Sequence, residues 1–259
     1  PPRSTLSSSS AASDVYKRQF ITSAKRDGDD WVISGEKWFT SNGANADFLI
    51  VMAITNPDAP LLERASMFLV DRDTPGVEIV RNVHTIGTSL QENYNTSGGG
   101  GHAYIRYNDV RVPRDNLLGD EGAGFVGSQT RMSGGRVHHA RRAVGTCTTA
   151  LEMMCERAEK RVAFGRPLSA QGSVRESIAI SASEIEQARL LTLKTADKMD
   201  KYGNKDASDL ISMIKVVGPR MACNVIDRAI QIHGGGGVSD HIFLAEAYAH
   251  ARPLRYADG

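Results

Sequence analysis

The stretch QIHGGGGVSD, residues 231–240, places four consecutive glycines after a glutamine and a histidine. Glycine has no Cβ, so a run of glycines lets another group approach the main chain closely, at a cost in conformational entropy. A second stretch, EKRVAFGRPL at 159–168, also combines long polar side chains with a glycine. Each alone is explained by a glycine that stops a helix. Together, the two predicted helix ends could hold an extended polar molecule.

The stretch RMSGGRVHHARR, residues 131–142, contains four arginines and two histidines and no acidic residue. A solvated basic helix face is one explanation. A site for a phosphorylated ligand is the sharper one, because the arginine fork matches phosphate geometry. Nucleic acid ranks last, since no aromatic residues are interleaved with the basic ones. Adjacent histidines point about 100° apart on a helix, so we predict no metal site at His138 and His139.

The stretch SGEKWFTSNG, residues 34–43, sets two aromatic residues beside two hydroxyl residues. An aromatic ring with neighbouring hydroxyls could seat a flat heteroaromatic ring. The alternative is simple packing, with the two rings on opposite faces of a strand. The four residues concerned are Trp38, Phe39, Thr40 and Ser41.

The stretch GAGFVG, residues 122–127, matches the glycine pattern of a dinucleotide-binding turn. That pattern needs a preceding strand, a βαβ unit and an acidic residue about twenty positions later. No Asp or Glu lies between Phe125 and Leu151. We therefore predict only a turn and a helix start here.

The composition is that of a soluble globular protein: 41% of residues are hydrophobic and 24% charged, with a formal net charge of +1. Such a balance gives no global field for nucleic acid or an anionic membrane. The longest apolar run, 48–54, is far too short to span a bilayer, so no transmembrane segment is predicted. Three cysteines without metal-ligand spacing indicate reduced thiols in an intracellular protein.

Short strand patterns fill the first half of the chain and helical patterns the second, an α+β order. We predict an antiparallel β-sandwich or barrel followed by an up-down bundle of three or four helices of about 12–25 residues. The parts are a disordered or non-native head at 1–19, a middle β domain at 20–119 and a truncated helical bundle domain at 120–259. A targeting segment is the alternative for the head. Residues 88–101 are predicted to form a flexible surface loop.

Taken together, these stretches resemble the acyl-CoA dehydrogenase family from about residue 27 to residue 259. The motifs that carry the resemblance are DGDDWVISGEKWFTSNG, TPGVEIV, NDVRVPRDNLLGDEGAGF, RVAFGRPLSAQG, IDRAIQIHGGGGVSD and RYADG. The branch that looks most similar acts on long-chain acyl-CoA and is often fused to aminoglycoside-phosphotransferase-like domains. The family fold has an N-terminal helical domain that these motifs do not include. We therefore expect this chain to be a fragment, inactive alone.

The resemblance implies FAD as cofactor, an acyl-CoA substrate and a homodimer or dimer of dimers. Phe39 and Ser41 match the positions that flank the flavin, with Trp38 and Thr40 as neighbours of less certain role. Further matches to cofactor contacts are Arg161, Phe164 and Gln171 across a subunit boundary, and Gln231, Gly234 and Gly235 at the FAD phosphates. For the acyl-CoA, the matches are Ser133 and Arg136.

The resemblance also assigns the catalytic base to Asp258, where most members have a glutamate before glycine. Removing a proton next to a thioester needs a carboxylate aimed at the α-carbon, while the flavin takes hydride from the β-carbon. The thioester oxygen needs hydrogen-bond donors, which the family takes from a flavin hydroxyl and the base's own backbone N–H. A helix cap or a frayed terminal charge is the alternative role for Asp258. Pro253, five residues earlier, is expected to break the helix that leads there.

The expected reaction is therefore α,β-dehydrogenation of an acyl-CoA to trans-2-enoyl-CoA, with electrons passed to a carrier such as electron-transfer flavoprotein. The alternatives are an acyl-CoA oxidase and a non-catalytic protein that binds flavin or acyl-CoA. The expected location is cytoplasmic in a bacterium and mitochondrial or peroxisomal in a eukaryote.

Overall fold

The computed structural model describes residues 21–86 and 101–258, so the predicted head and residues 88–100 of the predicted loop lie outside the described residues. The chain divides into two compact units. The first comprises the described residues up to Met132 together with Asp258, and the second comprises 133–257.

The first unit is built on one seven-stranded sheet with the order β5-β6-β2-β1-β3-β4-β7. Neighbouring strands are antiparallel, except for a parallel pairing of β1 with β3 at Ser23 and Ile54. The predicted β region is confirmed, while its closure into a sandwich or barrel stays a prediction. The strands are β1 Ser23–Asp27, β2 Asp30–Ser41, β3 Phe48–Ile54, β4 Ala65–Asp71, β5 Val77–Val83, β6 His102–Pro113 and β7 Leu117–Leu118.

The hairpin predicted around residues 27–30 is confirmed, with β1 and β2 paired from Asp27 opposite Asp30. Gly28 adopts a φ of 65°, which the tight turn requires and which glycine reaches without steric cost. Alternate residues of β2 then face the core, where Trp31 and Ile33 are fully buried with Phe68 of β4. The 3.3 Å rise and two-residue period of a strand explain this alternation.

The connection after β6 contains a short strand and a turn. Leu117 and Leu118 form β7 because they pair with Phe68 and Met67 of β4. The helix start predicted at the GAGFVG stretch is confirmed: the turn residue Gly122 has a φ of 83°, and α1 begins at Gly124.

The described residues contain four α-helices: α1 Gly124–Lys160, α2 Gly172–Asp206, α3 Ser208–His233 and α4 Leu244–Ala251. The helices α1 and α3 have 37 and 26 residues, and α2 spans 35 residues with an interruption at Gly203, whose φ of 81° and ψ of 173° are not helical. The predicted lengths were therefore too short for α1 and for the part of α2 before Gly203. Pro219 lies within a continuous α3. A two-strand hairpin, β8 Val162–Ala163 and β9 Arg166–Pro167, separates α1 from α2.

The core of the second unit is formed by small and aliphatic side chains from all four helices, among them Cys147, Ile185, Ile226 and Leu244. None of the three cysteines forms a disulfide. Burial raises the pKa of the Cys147 thiol to about 12, which keeps it protonated and unreactive. Cys147 and Cys223 are therefore structural residues of this core, while Cys155 is half-buried outside it.

Candidate functional site

The segment Lys37–Ser41 interrupts the regular pairing of β2. The register with β6 shifts between Lys37, opposite Ile105, and Thr40, opposite Ala103. Phe39 within the shift has a φ of 55°, a left-handed conformation that non-glycine residues rarely adopt. The irregularity places the rings of Trp38 and Phe39 6.0 Å apart, as tilted neighbours. Simple packing on opposite strand faces therefore does not describe them.

A cavity of about 460 Å³ lies beside this irregular segment, within the first unit. The residues that line it are mostly apolar, and Thr40 and Ser41 are among the polar ones. The lining residues are Thr40, Ser41, Gly43, Ala46, Phe48, Leu49, Ile50, Met67, Leu118, Gly127, Ser128, Arg131 and Met132.

Thr40, one of the residues that line the cavity, has a buried hydroxyl whose hydrogen bonding is incomplete. Thr40 is only 9% exposed, and its Oγ1 atom has no hydrogen-bond partner within the part of the chain that the structure describes. Leaving a buried hydroxyl without a partner costs about 1–3 kcal/mol. A ligand with polar atoms at its edge and a flat apolar body fits such a cavity, and the ring of a flavin has both properties.

Ser41 is paired with a residue that the sequence analysis missed. Its Oγ atom lies 3.0 Å from Nδ1 of His102, directly opposite on β6. The His102 ring also meets the ring of Phe39 edge to face, with 6.0 Å between centroids. Burial lowers the pKa of His102. Only the strand pairing joins these residues, which are 61 positions apart, and no local sequence pattern indicates it.

Residues Arg161 to Gln171 form a compact loop in the second unit. The N–H of Leu168 donates to the carbonyl of Arg161 at 2.9 Å, and the guanidinium of Arg166 donates to the side-chain oxygen of Gln171 at 2.8 Å. Phe164 and Gly165 form the turn of the β8–β9 hairpin, with φ angles of 56° and 78°. Gly165 is thus a hairpin residue, and the prediction that it stops a helix is wrong because α1 already ends at Lys160.

The side chain of Phe164, at the tip of this loop, is 95% exposed. Consecutive positive φ angles in a two-residue hairpin turn are typical of type I′, which strongly prefers asparagine and glycine. A phenylalanine there is unfavourable both for the backbone and for solvation. Arg161, Phe164 and Gln171 all belong to this loop, and their contact with the FAD of a partner subunit stays a prediction.

The glycine run at the end of α3 is not uniform. Gly234 closes the helix with a φ of 64° and a ψ of −140°. A Cβ on Gly235 would meet nothing within 4 Å, whereas a Cβ on Gly237 would lie 2.6 Å from the carbonyl oxygen of Ile230. Gln231, Gly234 and Gly235 are exposed. Open backbone for a ligand is therefore present at Gly234 and Gly235, while Gly237 is required by packing.

Asp258, the expected base, is 8% exposed and has a φ of 60°. The buried ammonium of Lys215 on α3 holds the preceding residues by donating to the carbonyl of Leu254 at 2.6 Å and to that of Ala257. The helix break expected at Pro253 is confirmed, since α4 ends at Ala251 and a 3-10 turn follows. This burial contradicts a frayed terminal charge.

The two residues expected at the acyl-CoA, Ser133 and Arg136, are half-buried on α1. Their spacing of three places them as neighbours on one side of the helix. Among the described residues, no group of His, Cys, Asp and Glu side chains could hold a metal ion. Within the same residues, no helix is both long and apolar enough to cross a membrane.

The model of the acyl-CoA dehydrogenase C-terminal domain matches residues 122–259, more than half of the chain, and that of the middle domain matches 5–96. The chain belongs to the acyl-CoA dehydrogenase family.

Individual relatives support the same family assignment. The chain is 50% identical to FadE2 of Mycobacterium tuberculosis, named as an acyl-CoA dehydrogenase, over 96% of this chain and 59% of that protein. A Mycobacterium abscessus structure named in the same way superposes with a TM-score of 0.87 at 40% identity, covering 99% of this chain and 62% of that one. The structure named PigA with FAD and proline superposes with a TM-score of 0.84 at 27% identity, covering 95% of this chain and 61% of that one. The chain thus spans about three-fifths of the length of these relatives.

Proposed function

We propose that this chain contributes to an FAD-dependent acyl-CoA dehydrogenase that converts an acyl-CoA thioester to trans-2-enoyl-CoA. The observation that carries the proposal is the buried Thr40 hydroxyl without a partner in the described residues. Thr40 and Ser41 are both among the residues that line a largely apolar cavity. A flavin ring supplies both the polar edge and the flat surface that this wall lacks.

The residues that would hold FAD belong to three groups. Phe39 and Ser41, with Trp38 and Thr40 beside them, would contact the flavin ring. The loop residues Arg161, Phe164 and Gln171 would contact the FAD of a partner subunit, which gives the exposed Phe164 ring an apolar surface to cover. Gln231 and the open backbone at Gly234 and Gly235 would contact the phosphates. When bound, the flavin supplies a two-electron acceptor for the hydride of the substrate β-carbon.

Asp258 would take the proton from the α-carbon of the thioester. Its carboxylate is shorter by one methylene than the glutamate usual in the family, so the backbone must hold it close. Asp258 is constrained in this way by its buried position and its φ of 60°. The hydrogen bonds from Lys215 to the carbonyls of Leu254 and Ala257 add to the constraint. Its own N–H would donate to the thioester oxygen as negative charge develops. Ser133 and Arg136 would bind the acyl-CoA, the arginine through its forked donors.

Further details are proposed on the resemblance alone. These are a long-chain substrate in fatty acid β-oxidation, electron-transfer flavoprotein as acceptor, and assembly as a homodimer or dimer of dimers.

Because the chain spans about three-fifths of its relatives' length, the test uses the full-length protein. It is titrated with FAD, following the loss of flavin fluorescence, and acyl-CoA thioesters of increasing length are then added without oxygen. We expect FAD to bind and long-chain thioesters to bleach its absorbance. Asp258→Asn is expected to keep both ligands and to abolish bleaching, whereas the exposed control Asp58→Asn retains it. A chain that binds no FAD contradicts the proposal.

Two other outcomes would favour the alternatives. Hydrogen peroxide formed in proportion to product in air indicates an acyl-CoA oxidase. Bound FAD that no thioester bleaches, with Asp258→Asn behaving as the unchanged chain, indicates a non-catalytic flavoprotein.

A further inference from the structure

The pair of Ser41 and His102 lies where the irregular part of β2 meets the first residue of β6. Ser41 lines the cavity, and its Oγ lies 3.0 Å from His102 Nδ1. The His102 ring also makes an edge-to-face contact with the Phe39 ring. Ser41 thus lines the cavity and is hydrogen-bonded to an imidazole that has a second contact.

A serine hydroxyl has a single proton, so its partner decides which way it donates. If His102 Nδ1 lacks a proton, the Ser41 hydroxyl donates to it and offers only lone pairs to the cavity. If Nδ1 carries the proton, His102 donates to Ser41 Oγ, and the hydroxyl proton is free to point into the cavity. Burial lowers the pKa of His102 and so favours the neutral ring, which can carry its proton on either nitrogen.

The polar edge of an oxidised flavin carries several nitrogen and oxygen acceptors and a single donor, the N–H at N3, so a hydroxyl that faces one of the acceptors must donate. We propose, on the basis of the function proposed above, that His102 is a positioning residue that donates its Nδ1 proton to Ser41 and so directs the Ser41 hydroxyl towards the flavin. Two donors in series polarise each other, which strengthens the final hydrogen bond.

The first test reads the tautomer directly, without turnover. Long-range proton–nitrogen NMR spectra of the FAD-loaded chain identify the His102 signals by their loss in His102→Phe. We expect the Nδ1–H tautomer to dominate at pH 7 and its fraction to fall in Ser41→Ala. A dominant Nε2–H tautomer in the FAD-loaded chain overturns the proposal.

The second test measures the dissociation constant of FAD in a set of variants. His102→Phe keeps the ring and removes the donor, and we expect roughly a tenfold weaker affinity, the equivalent of one lost hydrogen bond. His102→Asn, which retains a side-chain N–H at the same branch position, is expected to recover most of the loss. The exposed His84→Phe is the matched control in the same unit and should bind FAD normally.

The decisive comparison uses the Ser41→Ala background. If His102 acts through Ser41, adding His102→Phe there causes no further loss of FAD affinity, because coupled residues are not additive. A further tenfold loss means that His102 acts by another route, and the proposal is then wrong. If the unchanged chain binds no FAD, the proposed function fails first. In that case the positioning role of His102 is tested separately in the FAD-free chain. If the fraction of the Nδ1–H tautomer is the same in Ser41→Ala as in the unchanged chain, the proposal for His102 is wrong.

Discussion

Two glycine-bearing turns of the second unit look alike in sequence and differ in structure. Both follow a long helix, and both combine bare backbone with exposed polar side chains: the β8–β9 turn at Phe164 and Gly165, and the Gly234–Gly237 run after α3. At the first, the chain reverses in two residues with positive φ angles. At the second, it continues as a 3-10 turn in which only Gly234 has a positive φ.

The difference shows that glycine is present for three separate physical reasons. Gly165 and Gly234 supply backbone angles that other residues reach only with strain. Gly237 leaves room for the carbonyl of Ile230, while Gly235 has open space around it. Each reason predicts a different response to the same substitution, so an alanine series can break or support the distinction.

Gly237→Ala is expected to have the largest effect. The added Cβ would lie 2.6 Å from a backbone oxygen that cannot move without displacing α3. We expect the free energy of unfolding to fall by about 3 kcal/mol, measured by chemical denaturation. The control is Gly236→Ala, whose Cβ would make an ordinary 3.4 Å contact with Ile242. Equal stability of the two variants would show that packing does not fix Gly237.

Gly234→Ala is expected to cost about 2 kcal/mol, because its φ and ψ of 64° and −140° lie in a region that only glycine occupies readily. Asparagine tolerates the left-handed helical region but not the φ and ψ of Gly234, so Gly234→Asn should lower the free energy of unfolding as much as Gly234→Ala does. At Gly165, in a type I′ turn, we expect asparagine to behave differently from asparagine at Gly234. Gly165→Ala should lower the free energy of unfolding by about 1 kcal/mol, and Gly165→Asn should recover most of that loss. Chemical denaturation of the four variants checks this difference. If asparagine restores the stability lost in the alanine variant at both positions, or at neither, the two turns do not differ in the way described.

Phe164→Asn separates stability from binding at the hairpin. The ring is 95% exposed, and asparagine suits a positive φ, so we expect the free energy of unfolding to rise by up to about 0.5 kcal/mol. FAD affinity should fall several-fold if the ring covers the cofactor of a partner subunit. Phe164→Tyr keeps the aromatic surface and should keep the affinity. If Phe164→Asn binds FAD as tightly as the unchanged chain, the Phe164 ring does not contact the cofactor of a partner subunit.

The sequence predicted the order of sheet and helices, the hairpin at 27–30 and the helix break near Pro253, because local rules govern each of them. It did not predict the length of α1, which continues for 37 residues through the glycines at 134, 135 and 145 because tertiary packing supports it. Nor did it predict the pair of Ser41 and His102, or the Lys215 bonds to the residues before Asp258. These contacts join distant positions through strand register and helix packing, which a single sequence does not specify.

Gly235→Ala is expected to have the smallest effect on folding and the clearest effect on binding. With nothing within 4 Å of the new Cβ and no positive φ, the free energy of unfolding should change by less than about 0.5 kcal/mol. If the FAD phosphates approach this backbone, the methyl group instead occupies their place, and FAD affinity measured by fluorescence titration should fall at least tenfold. Gly236→Ala, one residue further, is the control for both measurements. Normal affinity in Gly235→Ala would mean that the open space at this turn is not a phosphate site, and that its exposed glycines serve the chain reversal alone.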